Sequence, residues 1–389
     1  MERVLSSECA DLNVPVTRPD KGVMSVLVAP DANVDDFRGD LNWMEKYYGA
    51  RIRLERRYQL DDDFLDDPIV TDSIAASPEH PSLDDVLDQL NAREAWNKTR
   101  GKGTVIAVVD TGIDGSRPEF GVGRRLPGWA PKGQLSWEDY QGHGTMCAAI
   151  AAGSRADGGE FDGVAPEATL FSGRSQLWEN ELAAIYDELA GLADTGKAVV
   201  ASNSFGLHTG KPPRDYADEF LDAVDHAISR GVHVFFSAGN NHHLTHGAPD
   251  GSGPNSIWTS CKNRADVITV GTCKLDGSMW PYSSRGPGQY PTRPASGPKP
   301  DVIGPTPANG RIVYGPKVVT KPNGWGTSGA CPQAAGLAAL LLSAYPGITG
   351  EDLRAAIRQS AFPLNHPRSS QGHGRIHCGR AVAHLDADA

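Results

Sequence analysis

Residues 105–114 read Val-Ile-Ala-Val-Val-Asp-Thr-Gly-Ile-Asp, and this stretch decides the fold class. Five consecutive apolar residues suit a strand buried on both faces, as strands of a parallel sheet are. Asp110 closes the run, so its carboxylate is expected at the strand's carboxyl end, where open α/β sheets place their sites. Thr111 and Gly112 turn the chain away and leave Asp114 to the loop. Downstream, helical and strand-like segments alternate. Ala183–Ala193 reads as helix, Ala198–Ser202 as strand, Tyr216–Ser229 as helix, and Val232–Phe236 and Val267–Val270 as strands. Such alternation predicts an α/β fold with a mainly parallel sheet flanked by helices.

Two later segments set chemistry among glycines, Gly142-His-Gly-Thr145 and Gly326-Thr-Ser-Gly-Ala330. A serine hydroxyl is a poor nucleophile until a neighbouring base accepts its proton, and His143 is the candidate base for Ser328. Asp110 is the candidate that orients the imidazole and stabilises its charged form. The apolar run Ala334–Ala344 is too long for a strand and rich in helix formers. Ser328 is therefore expected at the amino end of a buried helix, with Pro332 in the first turn. Between base and nucleophile, Val232–Gly239 reads as a strand running into a tight turn that presents Asn240. The Asn240 amide can donate to a developing oxyanion beside the Ser328 N–H. Asn241 is expected to hold the plain left-handed turn position.

The order Asp110, His143, Ser328, with these local motifs, resembles the subtilisin-like (subtilase) serine endopeptidases. The resemblance runs from about Pro81 to Leu385. It includes Ala95-Trp96, Gly101-Lys-Gly-Thr-Val105, Gly163-Val-Ala-Pro166, Ser202-Asn-Ser-Phe-Gly206, Ser283-Ser-Arg-Gly-Pro287, Lys299-Pro-Asp-Val302 and Gly372-His-Gly-Arg-Ile376. It implies a three-layer subtilisin-like fold and hydrolysis of peptide bonds through an acyl-enzyme. It also implies a polypeptide substrate lying extended along Ser204, Phe205 and Gly206, with Ser237, Ala238 and Gly239 as further substrate-binding positions. Gly329 and Gln333 stand where the family usually has methionine and histidine, and Met146 replaces a common histidine. Altered packing and flexibility behind Ser328 are expected from the first two. Cys147, four residues after His143, sits where a thiol-sensitive subgroup carries cysteine, although a small buried apolar role is the plainer reading.

Three units are expected: an extension over 1–21, a small α/β unit over 22–75, and a peptidase domain over 76–389. Met24–Ala29 is strand-like, Val34–Tyr48 has helical spacing, and Ala50–Glu55 alternates. This unit resembles the family's propeptide, an intramolecular N-terminal inhibitor; a permanent accessory domain is the alternative. The acidic stretch Leu60–Pro81 reads as a linker.

A chain of 389 residues with 39% hydrophobic and 22% charged residues is ordinary for a soluble globular protein. A net charge of −11 without a basic stripe argues against a nucleic-acid partner. No segment reaches the length of a membrane span, and residues 1–19 lack the apolar core of a secretory leader, so a cytoplasmic location is expected. Six cysteines are too few for a disulfide scaffold in a chain this long. Cys331 is expected inside the Ser328 helix, and a Cys261–Cys273 bridge is conceivable on spacing. His242, His243 and His246, and separately His366, His373, His377 and Cys378, contain residues that zinc uses, but neither group lies in a metal-binding helix pattern, and no metal site is expected. No cofactor is required by the expected chemistry. Structural calcium occurs in many subtilases, yet no acidic loop here has a specific spacing for it.

Overall fold

The computed structural model describes residues 59–60, 81–206, 219–242, 256–257, 260–288, 298–306, 312–319, 321 and 324–388. In chain order the strands are β1 (Gln59–Leu60), β2 (Thr104–Asp110), β3 (Thr169–Arg174), β4 (Ala198–Asn203), β5 (Phe205–Gly206), β6 (His233–Ser237), β7 (Ile268–Cys273), β8 (Val302–Pro305), β9 (Ile312–Tyr314) and β10 (Lys317–Val319). The helices are α1 (Leu83–Gln89), α2 (Ala92–Ala95), α3 (His143–Ala152), α4 (Glu179–Asp194), α5 (Glu219–Ser229), α6 (Gly326–Ala344), α7 (Gly350–Gln359), α8 (Arg368–Gln371) and α9 (Cys378–Asp388). The predicted alternation is present, with helix and strand ends within a few residues of expectation wherever they fall in the described chain. Most of the unit expected over 22–75 lies outside it.

The sheet has the order β3-β2-β4-β6-β7-β8, and every pair in it is parallel. β2 explains the three layers. Ile106 and Val108 join one buried cluster together with α3 and α6, whereas Val105, Ala107 and Val109 join another with α4 and α5. Side chains alternate across a strand, so a strand apolar at every position must be covered on both faces. The two helices that carry His143 and Ser328 lie on the same face and pack against each other. Their residues are buried nearly all round, as expected for helices apolar on every side.

One element was read differently in the sequence. Leu60 is not the start of a free linker: Gln59 and Leu60 pair antiparallel with Gly206 and Phe205, and the Leu60 side chain is buried in the α4–α5 cluster. No helix among the described residues is long and apolar enough to cross a membrane. Cys261 and Cys273 are both buried thiols, and the bridge between them is not formed.

Candidate active site

The carboxyl ends of β2, β4 and β6 lie side by side, because Val109 pairs with Asn203 and Asn203 with Phe236. Asp110 and Ser237 close β2 and β6, and Ser204 follows β4. Opposite them, α3 begins at His143 and runs back over the sheet. The approach is close: a Cβ on Gly144 would sit 2.1 Å from the Gly112 carbonyl oxygen and 3.0 Å from Asp110 Cβ. Only glycine fits there, which accounts for the residue after the histidine.

His143 Nδ1 lies 2.8 Å from Asp110 Oδ1 and 2.9 Å from Oδ2, and both side chains are buried. Burial acts most strongly on the imidazole and disfavours its charged form. The Asp110 carboxylate, with a smaller contribution from Cys147, more than offsets this and holds the His143 pKa well above the usual histidine value. Thr111, next to Asp110, donates to Asp139, which in turn accepts from the Gly142 and Thr145 backbone N–H groups. That loop carboxylate ties the start of α3 to the end of β2.

Ser328 is the third residue of α6 and is fully buried. Its Oγ has no hydrogen-bond partner among the described residues. The first four N–H groups of a helix lack intrahelical acceptors. Here Trp325 donates to Thr306 Oγ1 and Thr327 to Asn240 Oδ1, and Ser328 N–H is the last of the four. Pro332 is not in the first turn, as expected from sequence, but inside the helix. Its missing N–H would have met the Ser328 carbonyl four residues earlier. That carbonyl instead faces Cys147 Sγ at 3.7 Å and Ser204 Oγ at 3.5 Å.

Cys147 therefore sits at the centre of the group. Its sulfur is 3.7 Å from Asp110 Oδ2, 3.9 Å from His143 Nδ1 and 3.7 Å from the Ser328 carbonyl. Burial pushes its pKa up to about 11, against the pull of His143, so at neutral pH it is a thiol and not a thiolate nucleophile. Sequence spacing placed Cys147 near His143; that it spans all three partners required the helix packing.

Asn240 is fully buried, and its Oδ1 accepts from the Thr327 N–H at 3.0 Å and from the Thr327 hydroxyl at 3.1 Å. Those two bonds orient the amide, with the NH₂ on the side away from Thr327. The Thr327 hydroxyl oxygen also accepts from the Gly239 N–H at 3.2 Å. Gly239 has φ +106°, so the left-handed position is glycine's and not, as expected, that of Asn241, whose N–H donates to Ser284 Oγ. Ala238 N–H donates to the Val270 carbonyl. Ser237, Ala238 and Gly239 thus lie beside Asn240, but the N–H groups of Ala238 and Gly239 are engaged within the fold.

Ser204 is the single residue between β4 and β5, and Phe205 and Gly206 form β5, the strand that holds β1. Phe205 packs edge-on against Phe236. Behind Ser328, where altered packing and flexibility are expected, Gln333 anchors α6. Its Nε2 donates to the Pro305 carbonyl at 2.6 Å and to the Gly329 carbonyl at 2.7 Å, linking α6 to the end of β8. Gln333→Ala removes both bonds, including the one that ties α6 to the Pro305 carbonyl. It is expected to cost about 1–3 kcal/mol of stability, read from denaturant unfolding.

The Subtilase family model matches residues 101–374, well over half of the chain. The chain belongs to the subtilase family. This subtilase is 29% identical over 341 residues to the calcium-dependent protease of Trichormus variabilis, matching 75% of this chain and 48% of that one. It is 28% identical over 303 residues to an intracellular serine protease of Paenibacillus polymyxa, covering 75% and 84% of the two chains. The chain spans about half the length of the calcium-dependent proteases that it matches. Among solved structures, MycP1 with its N-terminal propeptide removed has a TM-score of 0.59 at 22% identity, covering 77% of this chain and 96% of that one, a likeness of fold.

Among the described residues, the one grouping of His, Cys, Asp and Glu close enough to share a metal ion is Asp110, His143 and Cys147. Its nitrogen and sulfur donors are unlike the oxygen set that calcium takes. His366 reaches the Gly277 carbonyl and His377 accepts from the Arg380 N–H, so these two serve local structure. His243 and His246 lie outside the described residues.

Proposed function

We propose that this subtilase is a serine endopeptidase that works through Asp110, His143 and Ser328, with Asn240 and the Ser328 N–H as oxyanion donors. The observation that carries the reading is the buried Asp110–His143 hydrogen bond set against the first turn of α6. In the reaction, Ser328 Oγ bonds to the scissile carbonyl carbon as its proton passes to His143 Nε2. The carbonyl oxygen becomes an oxyanion, met by the Ser328 N–H and the Asn240 amide. The C–N bond then breaks and the amine leaves with the proton from His143. Water repeats the sequence on the acyl-enzyme, releasing the acid and restoring Ser328. Every group required is a side chain or amide of this chain. A fluorophosphonate probe is expected to add at one residue, located at Ser328 by peptide mass spectrometry. Modification elsewhere, or none with active protease standards alongside, would discard the assignment.

The substrate is a polypeptide bound extended along Ser204, Phe205 and Gly206. The β1–β5 pairing supports a further element of this reading, that the segment ending at Leu60 competes with substrate for the same backbone edge. Burial of a leucine contributes about 1.5–3 kcal/mol, so Leu60→Asp is expected to raise the initial rate on a peptide substrate by roughly 10–100-fold. An unchanged rate, with the variant's fold verified by circular dichroism, would mean that the segment does not restrain activity. For location, the intracellular relative and the five buried cysteines outside any disulfide among the described residues favour a reducing compartment.

A further inference from the structure

The carboxyl end of α3 abuts a cluster of oxygens remote in sequence from one another. The carbonyls of Glu119, Ala152 and Ala168 converge there with the Asp157 carboxylate. Ala152 is the last residue of α3, so its carbonyl is one of the helix's orphaned acceptors and carries the negative end of the dipole. Three carbonyls and a carboxylate are the donor set of a hard cation such as calcium. Here the set is filled. One terminal nitrogen of Arg124 donates to Ala168 O at 2.7 Å and to Ala152 O at 3.1 Å. The other donates to Glu119 O at 2.8 Å, and Nε donates to Asp157 Oδ2 at 2.7 Å.

The surroundings are balanced in the same way. The buried Glu119 side chain receives Arg117 at 3.0 and 3.2 Å and the Glu160 N–H at 3.0 Å. The Gly121 N–H also donates to Asp157 Oδ2, so that oxygen is already shared between two parts of the nest. A metal ion placed among these oxygens would have to displace the guanidinium or lie against it, like charge on like charge. The residues present do not fit calcium.

We infer that Arg124 is the resident cation of this site, a guanidinium performing the structural task of a bound metal, and that this part of the fold consequently does not depend on calcium. The fork geometry suits the task, because a planar guanidinium can meet several fixed oxygens at once while an ammonium cannot. Three strands of chain, around residues 119, 152 and 168, are held together without an ion that can dissociate.

Thermal unfolding of the full chain in calcium chloride and in EDTA tests this, with Ser328→Ala as background in all samples to prevent self-digestion. Chelation is expected to lower the midpoint of the Arg124-intact protein by less than that of Arg124→Ala. Arg124→Ala is expected to unfold at least about 5 °C lower in EDTA and to recover a substantial part of that loss in millimolar calcium. Arg124→Lys is expected to fall between the two, with no response to calcium. A drop on chelation as large in the Arg124-intact protein as in Arg124→Ala would overturn the inference. An Arg124→Ala protein indifferent to calcium would do so too, since the oxygens would then not form a cation site. If Arg124→Ala fails to fold in EDTA, its refolding yield with and without calcium gives the same decision.

Discussion

Ser328→Ala is expected to lower turnover of a peptide substrate by a factor on the order of 10⁶, the size of the loss for a subtilisin nucleophile, while leaving the protein at least as stable. The second half follows from the geometry. The Ser328 hydroxyl is buried with no hydrogen-bond partner among the described residues, so its removal breaks no bond and relieves an unsatisfied polar group. The contacts that hold this turn of α6 run through the Ser328 carbonyl, to Cys147 and Ser204, and survive the substitution. Turnover measured by peptide hydrolysis and the midpoint of thermal unfolding should therefore move apart. A variant that keeps more than a few per cent of activity would remove Ser328 from the chemistry. One that loses activity together with several degrees of stability would make the serine a structural residue.

Asp110→Asn is expected to reduce turnover by about 10⁴, because an amide in place of the carboxylate favours the wrong imidazole tautomer and leaves the charged ring unsupported. The pH profile should change as well. In the native protein the carboxylate outweighs burial and raises the His143 pKa. Without it burial is left to dominate, and the pKa falls below the usual value. Since the base must be neutral, the acid limb of activity should shift to lower pH in the variant. Stability follows the sign of the same shift. A pKa raised in the folded state contributes stability that is full below the unfolded value of about 6.5 and is lost as pH rises through the folded value. The gap in unfolding temperature between native and variant proteins should thus be widest in acid and narrow as pH rises. An acid limb at the same pH in both proteins would show that Asp110 does not set the protonation of His143.

Cys147 and Pro332 show how far local reading reaches. The four-residue spacing from His143 to Cys147 places both on one helical face, and this was visible in the chain. The contact of Cys147 with the Ser328 carbonyl was not, since it depends on the missing N–H of Pro332 and on how two helices cross. Leu60 is a similar case. A leucine at the edge of an acidic, proline-containing stretch carries no periodic signal, and only the exposed edge of β5 gives it a partner. Gln333 looked like a loss of family character, yet its amide reaches two carbonyls that no linear pattern links.

The chain on its own determined the alternation of helix and strand, the double-sided burial of β2, and which residues are proposed as acid, base, nucleophile and amide, because each rests on periodicity or on a residue set among its immediate neighbours. Tertiary structure alone decided what surrounds them: the thiol among three partners, the strand against β5, and a guanidinium among oxygens drawn from residues 119, 152, 157 and 168. Those contacts join positions tens to hundreds of residues apart, and their energy comes from burial and from satisfied polar groups that exist only once the layers have closed.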